Sequence, residues 1–478
     1  MNVAIVCYII GCILQFEAAF LVLPGIVGLF YQEYQHCIIY LFTALFCFIC
    51  GRLLRLKKPA RFELYTREGF ASVALGWIFL SLFGAIPFVA TGDIPNYVDA
   101  LFETISGFTT TGASILTNVE ALSHANLFWR SFTHWIGGMG VFVFIMSIMP
   151  LMGASTMNLM RAESPGPSVS KLLPKVKDTA KILYQIYIGI TIVGAIVLCI
   201  CGMGLFDSLC TIFGTVGTGG FGIRNDSITS YSPLIQVVVT IFMILSGVNY
   251  MVYFCLLRKQ FKDAFAIEEV RWYFIIILVS VGIITWDIHT MYPTLGETLR
   301  HAFFQVGSII TTSGFATTDF DLWPQLSKTV LIMLMFIGAC SGSTGGGIKV
   351  TRFVIFFKAI RKELALMIHP RLVKKIKLDG HPLSHETLRS TNVFISVYFV
   401  IFFLSVLLIG VDEFDFTTNF TAVAATLNNI GPGLELVGPT QNFSIFSPFS
   451  KCILMFNMLA GRLELFPMLI IFLPSCWK

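Results

Sequence analysis

The chain has 478 residues, 56% of them hydrophobic and 12% charged, with a mean hydropathy of +0.80, whereas a soluble globular protein carries roughly a quarter of its residues as Asp, Glu, Lys and Arg. So little charge cannot cover a water-facing surface, which excludes an ordinary soluble protein and divides the length into bilayer crossings of about 20 residues. The net charge of +5 implies no nucleic-acid partner, and 12 cysteines scattered mostly through apolar runs suggest neither a disulfide framework nor a zinc site. The one C-x-x-C, Cys47 and Cys50, reads as small hydrophobes on a helix face.

Residues 3–30 are apolar for longer than a secretory leader, lack a basic segment in front and show no small-residue cleavage site, so they read as a retained first helix with Glu17 in its middle. Apolar runs follow at 37–53, 70–91, 125–151, 180–203, 232–257, 272–290, 325–360, 391–411 and 447–474. Between them, 97–112, 205–219, 297–314 and 416–431 are short and moderately apolar and end in Thr, Ser, Asn and Gly, as a re-entrant half-helix followed by a loop does. The order is therefore a leading pair of helices in 1–68, then four copies of full helix, short helix, Gly-bearing loop, full helix and basic loop, drawn at 69–165, 166–260, 261–365 and 366–478. The predicted fold is an all-α polytopic membrane protein with pseudo-fourfold symmetry around one pore, complete within a single chain. Glu17 lies outside the four repeats and reads as touching a neighbouring helix or polar lipid.

Lys and Arg accumulate in cytoplasmic loops, and 24 of the 32 fall in 51–68, 161–181, 258–271 and 352–389. These loops share one side if each full helix crosses once and each short segment enters and leaves on the other, which puts both termini in the cytoplasm. The opposite side carries fourteen acids, among them Asp99, Glu103, Asp207, Glu297, Asp319 and Asp415, against Arg130, Arg224, Arg300, Lys328 and Lys451. That acidity either concentrates cations at a pore mouth or is what positive-inside sorting leaves behind.

The four loops read FTTTGAS at 108–114, TVGTGGFG at 215–222, ITTSGFAT at 310–317 and LNNIGPGL at 427–434. Rings of backbone carbonyls replace a cation's hydration shell without fixed charge in the lipid, and a backbone aimed inward calls for Gly where the dihedral turns positive. Aligning Gly112, Gly219, Gly314 and Gly431 places Thr110 and Thr111, Gly217 and Thr218, Thr312 and Ser313, and Asn429 and Ile430 before them. No carboxylate stands there, which favours a monovalent cation over a divalent one. The short helices also turn their partially negative C-terminal ends toward the axis.

The run 325–360 holds Gly338, Ser341, Gly342, Ser343, Thr344, Gly345, Gly346 and Gly347, too many Gly and Ser to sustain a helix. A break at membrane depth belongs beside a wet cavity or in a small-residue seam, and the first of these puts it beneath the filter. Arg462 in the last run either raises a barrier in a cation path or snorkels to the interface. Lys349 is a second such charge or the cytoplasmic end of the path. His134 in HWIGGMG reads as a packed helix residue.

With these residues in view, the chain resembles the TrkH-type potassium transporters, in the superfamily that also contains KtrB and the fungal Trk transporters. The resemblance spans essentially the whole sequence: YTREGF at 65–70, TTTGAS in the first loop, HWIGGMG at 134–140, RAESPGP at 161–167, GACSGSTGGGIKV at 338–350, ATLNNIGPGL at 425–434 and MLAGRLELF at 458–466. It implies a bacterial inner-membrane protein with one filter Gly per repeat, potassium bound by the carbonyls before it, an intramembrane loop that obstructs the pore, a gating role for Arg462, and a homodimer bound by a cytoplasmic TrkA-like ring of nucleotide-binding RCK subunits. Potassium is then the substrate and the chain itself binds no cofactor. The second loop departs from the pattern, Gly217 and Thr218 standing where bulkier residues are expected, and Ser313 stands where a small apolar residue is common. Uptake needs no coupled ion where the membrane potential suffices, at about 2.3 kcal/mol per charge per 100 mV. A sodium-preferring or sodium- or proton-coupled transporter on the same scaffold is the alternative. An intramembrane hydrolase using Ser341 lacks the Gly-x-Ser-x-Gly elbow, and no HExxH is present.

Overall fold

Hydrocarbon offers the backbone no water, so an apolar run must satisfy its own hydrogen bonds as a helix. The computed structural model of the protein describes residues 1–56, 65–140, 176–372 and 375–477, and most of these residues are helical. The end of the 125–151 run, the motif at 161–167 and parts of the basic loops 51–68, 161–181 and 352–389 lie outside the described residues.

The leading pair is α1 (Val3–Phe30) and α2 (Tyr34–Leu54). In its most apolar window α1 is 67% buried and α2 only 28%, so α1 is the inner of the two, packed on α2 and α3 (Thr66–Gly84). Leu41, Phe42, Leu45 and Phe46 of α2 stay exposed, which carries no penalty where the solvent is lipid. The pair crosses at Gly11 and Gly51: a β-carbon on either would stand 2.7 Å from the other's carbonyl oxygen. We expect Gly51→Leu to wedge the helices apart and to cost about 1–3 kcal/mol, read as a lower melting temperature in detergent; an unchanged melt would mean that this crossing does not hold the pair.

Among the described residues, six helices are long and apolar enough to cross a bilayer, or seven if one bent pair counts as a span. They are the leading pair, α3 with α4 (Ile86–Thr91), α7 (Val176–Ile200), α12 (Glu268–Ile288) and α16 (His385–Ile409). After α3 and α4 come the short α5 (Tyr97–Phe108) and then α6 (His124–Gly138), described as helix only to Gly138. After α7 come α8 (Leu205–Val216) and then α9 (Pro233–Ser246) and α10 (Tyr250–Leu257), bent by 91°. A connecting turn of helix, α11 (Phe261–Ala266), precedes α12. After α12 come α13 (Leu295–Ile310), α14 (Gln325–Phe336) and α15 (Val350–Ile368). A hairpin of β1 (Lys377–Leu378) and β2 (His381–Pro382) leads into α16, followed by α17 (Phe416–Leu427), α18 (Pro448–Arg462), α19 (Phe466–Ile470) and α20 (Pro474–Trp477).

The expected break in 325–360 is present, and 232–257 and 447–474 break as well. At Gly247 a β-carbon would meet Tyr273 Oη at 2.5 Å, and Asn249 then starts α10 by accepting from the Met251 N–H. At Glu464 and Leu465 two non-Gly residues take φ of +54° and +68°, a strained turn of the kind that persists only where surrounding contacts hold it.

Candidate functional site

The short helices α5, α8, α13 and α17 run 12, 12, 16 and 12 residues, too short to cross at 1.5 Å per residue. Three have a side-chain N-cap, from Asn96, Thr294 and Asp415. All four end alike, three or four residues before the boundary that the sequence suggested. Thr110, Thr218, Thr312 and Asn429 take φ of +55°, +55°, +59° and +55°. The next N–H reaches back to close the helix end: Thr111 to Ser106 O at 2.9 Å, Gly219 to Gly214 O at 2.8 Å, Ser313 to Ser308 O at 2.8 Å and Ile430 to Ala425 O at 2.9 Å. This is a Schellman closure, which normally recruits Gly at the left-handed position. A β-branched residue there is strained, and it recurs three times.

One residue further on, φ is positive again at Gly112, Gly220, Gly314 and Gly431. The structure thus corrects the sequence alignment at the second loop: the equivalent glycine is Gly220, and Gly219 occupies the place of Thr111, Ser313 and Ile430. Gly217 becomes the helix C-cap, opposite Thr109, Thr311 and Asn428, and Thr218 stands with the other left-handed residues. In this register the departure of the second loop narrows to Gly219, which stands where the other three loops carry a side chain.

The four loops close on one another in a circuit. A β-carbon on Gly112 would overlap the carbonyl oxygen of Gly219, one on Gly220 that of Ser313, and one on Gly314 that of Ile430, while one on Gly431 would stand 2.9 Å from that of Thr111. Each glycine therefore admits the carbonyl of the next loop in order, and the fourth returns to the first.

Side chains brace this ring from outside. Thr109 and Thr111 hydroxyls lie 2.8 Å apart, as Thr311 and Ser313 do at 2.9 Å. Asn429 Nδ2 donates to Thr111 Oγ1 and to Met458 O, each at 2.9 Å, and Tyr398 donates to Asn428 Oδ1. Buried His134 joins the end of α5 to the second loop, with Nδ1 2.8 Å from Gly107 O and Nε2 accepting from the Phe221 N–H at 3.2 Å. Its ring fills the space beside Gly219 and its carbonyl crowds Gly217, which is why neither carries a side chain. Glu103 and Arg130, both buried, pair at 2.5 Å.

One side of the ring opens into a vestibule of about 170 Å³ lined by Gly112, Gly220, Gly314, Gly431, Arg130 and Arg224. On the other lies a cavity of about 130 Å³ lined by Tyr250, Gly345, Gly346, Gly347, Lys349 and Arg462. The segment between α14 and α15 enters this cavity as a non-helical loop, its ends joined where the Gly338 N–H donates to Ile348 O at 2.8 Å. Gly346 N–H donates to Thr312 Oγ1 at 2.7 Å, and a β-carbon on Gly346 would stand 2.7 Å from Asn428 O. The loop thus abuts the third and fourth arms of the ring.

Charges fix the loop there. Lys349 Nζ donates to the carbonyls of Gly345 and Gly346. Arg462 donates to Thr344 O at 2.8 Å and to the carbonyls of Gly137 and Gly138, joining α18, the loop and the end of α6. Arg352 engages Glu464 and lies 3.8 Å above the Phe394 ring. Ser341 N–H and Thr351 N–H both donate to Glu269 Oε1, at 2.6 and 3.1 Å. Every residue singled out from the sequence as filter or gate lies in the ring or this loop assembly, except Gly217, which caps the helix before the ring. Gly220, Glu269, Arg352 and the Glu103–Arg130 pair were not singled out for these roles. Among the described residues no group of three His, Cys, Asp or Glu is placed to hold a metal ion, and all twelve cysteines are free.

Half-helices of one chain converging on a ring of carbonyls, with a vestibule on one side and a plugged cavity on the other, define a multi-pass membrane transport protein. The chain belongs to the TrkH family of cation transport proteins, whose family model matches residues 39–477; this is a family of transporters and not of enzymes. It is 39% identical to the Trk system potassium uptake protein TrkH of Salmonella typhimurium over 483 residues, 98% of each chain. It is 33% identical over 487 residues to TrkG of Escherichia coli, covering 100% of this chain and 99% of that one. The crystal structure of the potassium transporter TrkH from Vibrio parahaemolyticus superposes on it over 100% of both chains with a TM-score of 0.89, at 31% sequence identity.

Proposed function

We propose that this chain takes up potassium, as the names of its relatives say of them, and that it does so across the bacterial inner membrane. The ion sheds its water in the ring and is held by the carbonyls of Thr110, Thr111, Thr218, Gly219, Thr312, Ser313, Asn429 and Ile430, with Gly112, Gly220, Gly314 and Gly431 making room for them. The observation that carries this reading is the circuit in which each glycine accommodates the next loop's carbonyl; neutral dipoles in a closed ring suit a monovalent cation. The 337–349 loop with Lys349 and Arg462 shuts the path beneath. The acidic loops face outward and the basic loops and both termini face the cytoplasm, where a TrkA-like RCK ring on a homodimer controls opening. The leading pair at 1–68 and the four repeats after it are the units of assembly.

Liposomes carrying the purified chain, alone and with the cytoplasmic partner, test the reading by rubidium, potassium and sodium flux. Potassium and rubidium are expected to pass in preference to sodium, and Gly314→Ser, which places a side chain against Ile430 O at φ +80°, is expected to erode that preference. Equal sodium flux, indifferent to Gly314→Ser, would sink the filter.

A further inference from the structure

Glu269 is a buried carboxylate in the first turn of α12, outside the four ring loops. It accepts two backbone N–H groups that lie on either side of the loop's glycine cluster: Ser341 inside the loop and Thr351 in the first turn of α15. The Ser341 hydroxyl also donates to Thr351 Oγ1 at 3.2 Å, closing a small knot around the carboxylate. Elsewhere the loop is held by neutral bonds, Cys340 N–H to Gly247 O at 3.0 Å and Tyr250 N–H to Gly342 O at 3.1 Å, and by the cations Lys349 and Arg462 acting on its carbonyls. Hydrogen bonds to an ionised acceptor are about twice as strong as neutral ones, and an N–H pulled from a carboxylate at this depth finds no replacement.

The same helix end is tied to the basic face. Glu268 N–H donates to Asp379 Oδ1 at 2.7 Å, and Lys358 Nζ donates both to Glu268 Oε2 at 2.6 Å and to Lys377 O at 2.8 Å. Asp379 and Lys377 belong to the β1–β2 hairpin, whose register pairs Lys377 with Pro382 and Leu378 with His381. Leu378 is buried while Lys377, Asp379, Gly380 and His381 are exposed. An exposed hairpin thus touches residue 268, and residue 269 grips the loop.

We propose that Glu269 is the positioning residue that latches the intramembrane loop across the pore, and that the hairpin 377–382 is the lever through which contact on the basic face reaches it. This rests on the reading of the loop as the gate. Docking that draws the hairpin away removes Asp379 and the Lys377 carbonyl from the N-terminus of α12. The Glu269 carboxylate then shifts against Ser341 and the loop is released.

Single-channel recording of the full chain in planar bilayers without partner tests this, alongside a variant lacking Gly345–Gly347. Glu269→Ala is expected to raise open probability about tenfold or more, with unitary conductance and potassium preference as in the parent. Glu269→Gln, which keeps the shape and loses the charge, is expected to give a smaller rise. Asp379→Ala should raise it too, and add nothing in the Glu269→Ala background. Maleimide labelling of Cys340, fully buried in the closed loop, should accelerate in step, a change that loss of fold stability alone, seen as a lower melting temperature, does not tie to open probability. If Glu269→Ala folds yet leaves opening and Cys340 labelling unchanged while the loop deletion conducts, the latch is wrong and the gate stands. If the deletion also changes nothing, the gate reading falls and the latch with it. Should Glu269→Ala fail to fold, Glu269→Gln decides, and parental opening in it overturns the proposal.

Discussion

Gly220→Ala is expected to abolish most of the preference for potassium over sodium, with a loss of about tenfold or more, equivalent to about 1.4 kcal/mol between the two ions. At φ +78° a β-carbon is strained to begin with, and here it would overlap the carbonyl oxygen of Ser313. That oxygen is backbone, so relief requires moving a member of the ring itself, and a wider ring favours no one ion by fit or field. Gly219→Ala is different in kind. Its φ is ordinary and the obstruction is the His134 ring, which can shift at the expense of its bonds to Gly107 and Phe221. The Gly219 variant should therefore lose stability first and selectivity second. Competitive rubidium and sodium flux on both variants, normalised to folded protein, decides the register; a selective Gly220→Ala beside an unselective Gly219→Ala would return the filter to Gly219.

The second loop shows how far sequence carries such a site. TVGTGGFG offers several glycines, and spacing alone cannot choose among them. The deciding count runs from the helix end, where Thr110, Thr218, Thr312 and Asn429 adopt the left-handed turn. A Thr or Asn, any residue, then Gly is a pattern present in all four loops, and it was the available signal. The leading helices, the four half-helices and the break in 325–360 were legible because hydropathy, length and glycine content are local properties. Glu269 was not, since its partners lie 72 and 82 positions away and nothing in its neighbourhood marks it. The breaks after Ser246 and Arg462 depend likewise on Tyr273 pressing on Gly247 and on a strained turn at Glu464 and Leu465. Glu103 and Arg130 read as two more charges on the acidic side until α5 and α6 brought them together.

Removing Glu103 alone is expected to destabilise the chain by about 3–5 kcal/mol, because it leaves Arg130 charged and buried without its counter-ion. The pair does more than neutralise itself. Glu103 also accepts from the Ser114 hydroxyl at 2.9 Å and the Ile115 N–H at 3.0 Å, just past Gly112 of the ring. Arg130 donates to Gly222 O at 2.7 Å and lies 3.6 Å above the Phe221 ring, just past Gly220. One ion pair thus sets the spacing between two neighbouring arms of the ring on their vestibule side. Glu103→Ala should lower the melting temperature in detergent and reduce folded yield. Exchanging both partners for apolar residues of similar volume, Glu103→Leu with Arg130→Met, should recover much of that stability, since no unpaired charge remains. It should not recover ion preference, because Ser114, Ile115 and Gly222 lose their anchors in the double variant as well. A double variant that regains both stability and parental selectivity would show that the pair holds the fold and leaves the filter geometry to the ring alone.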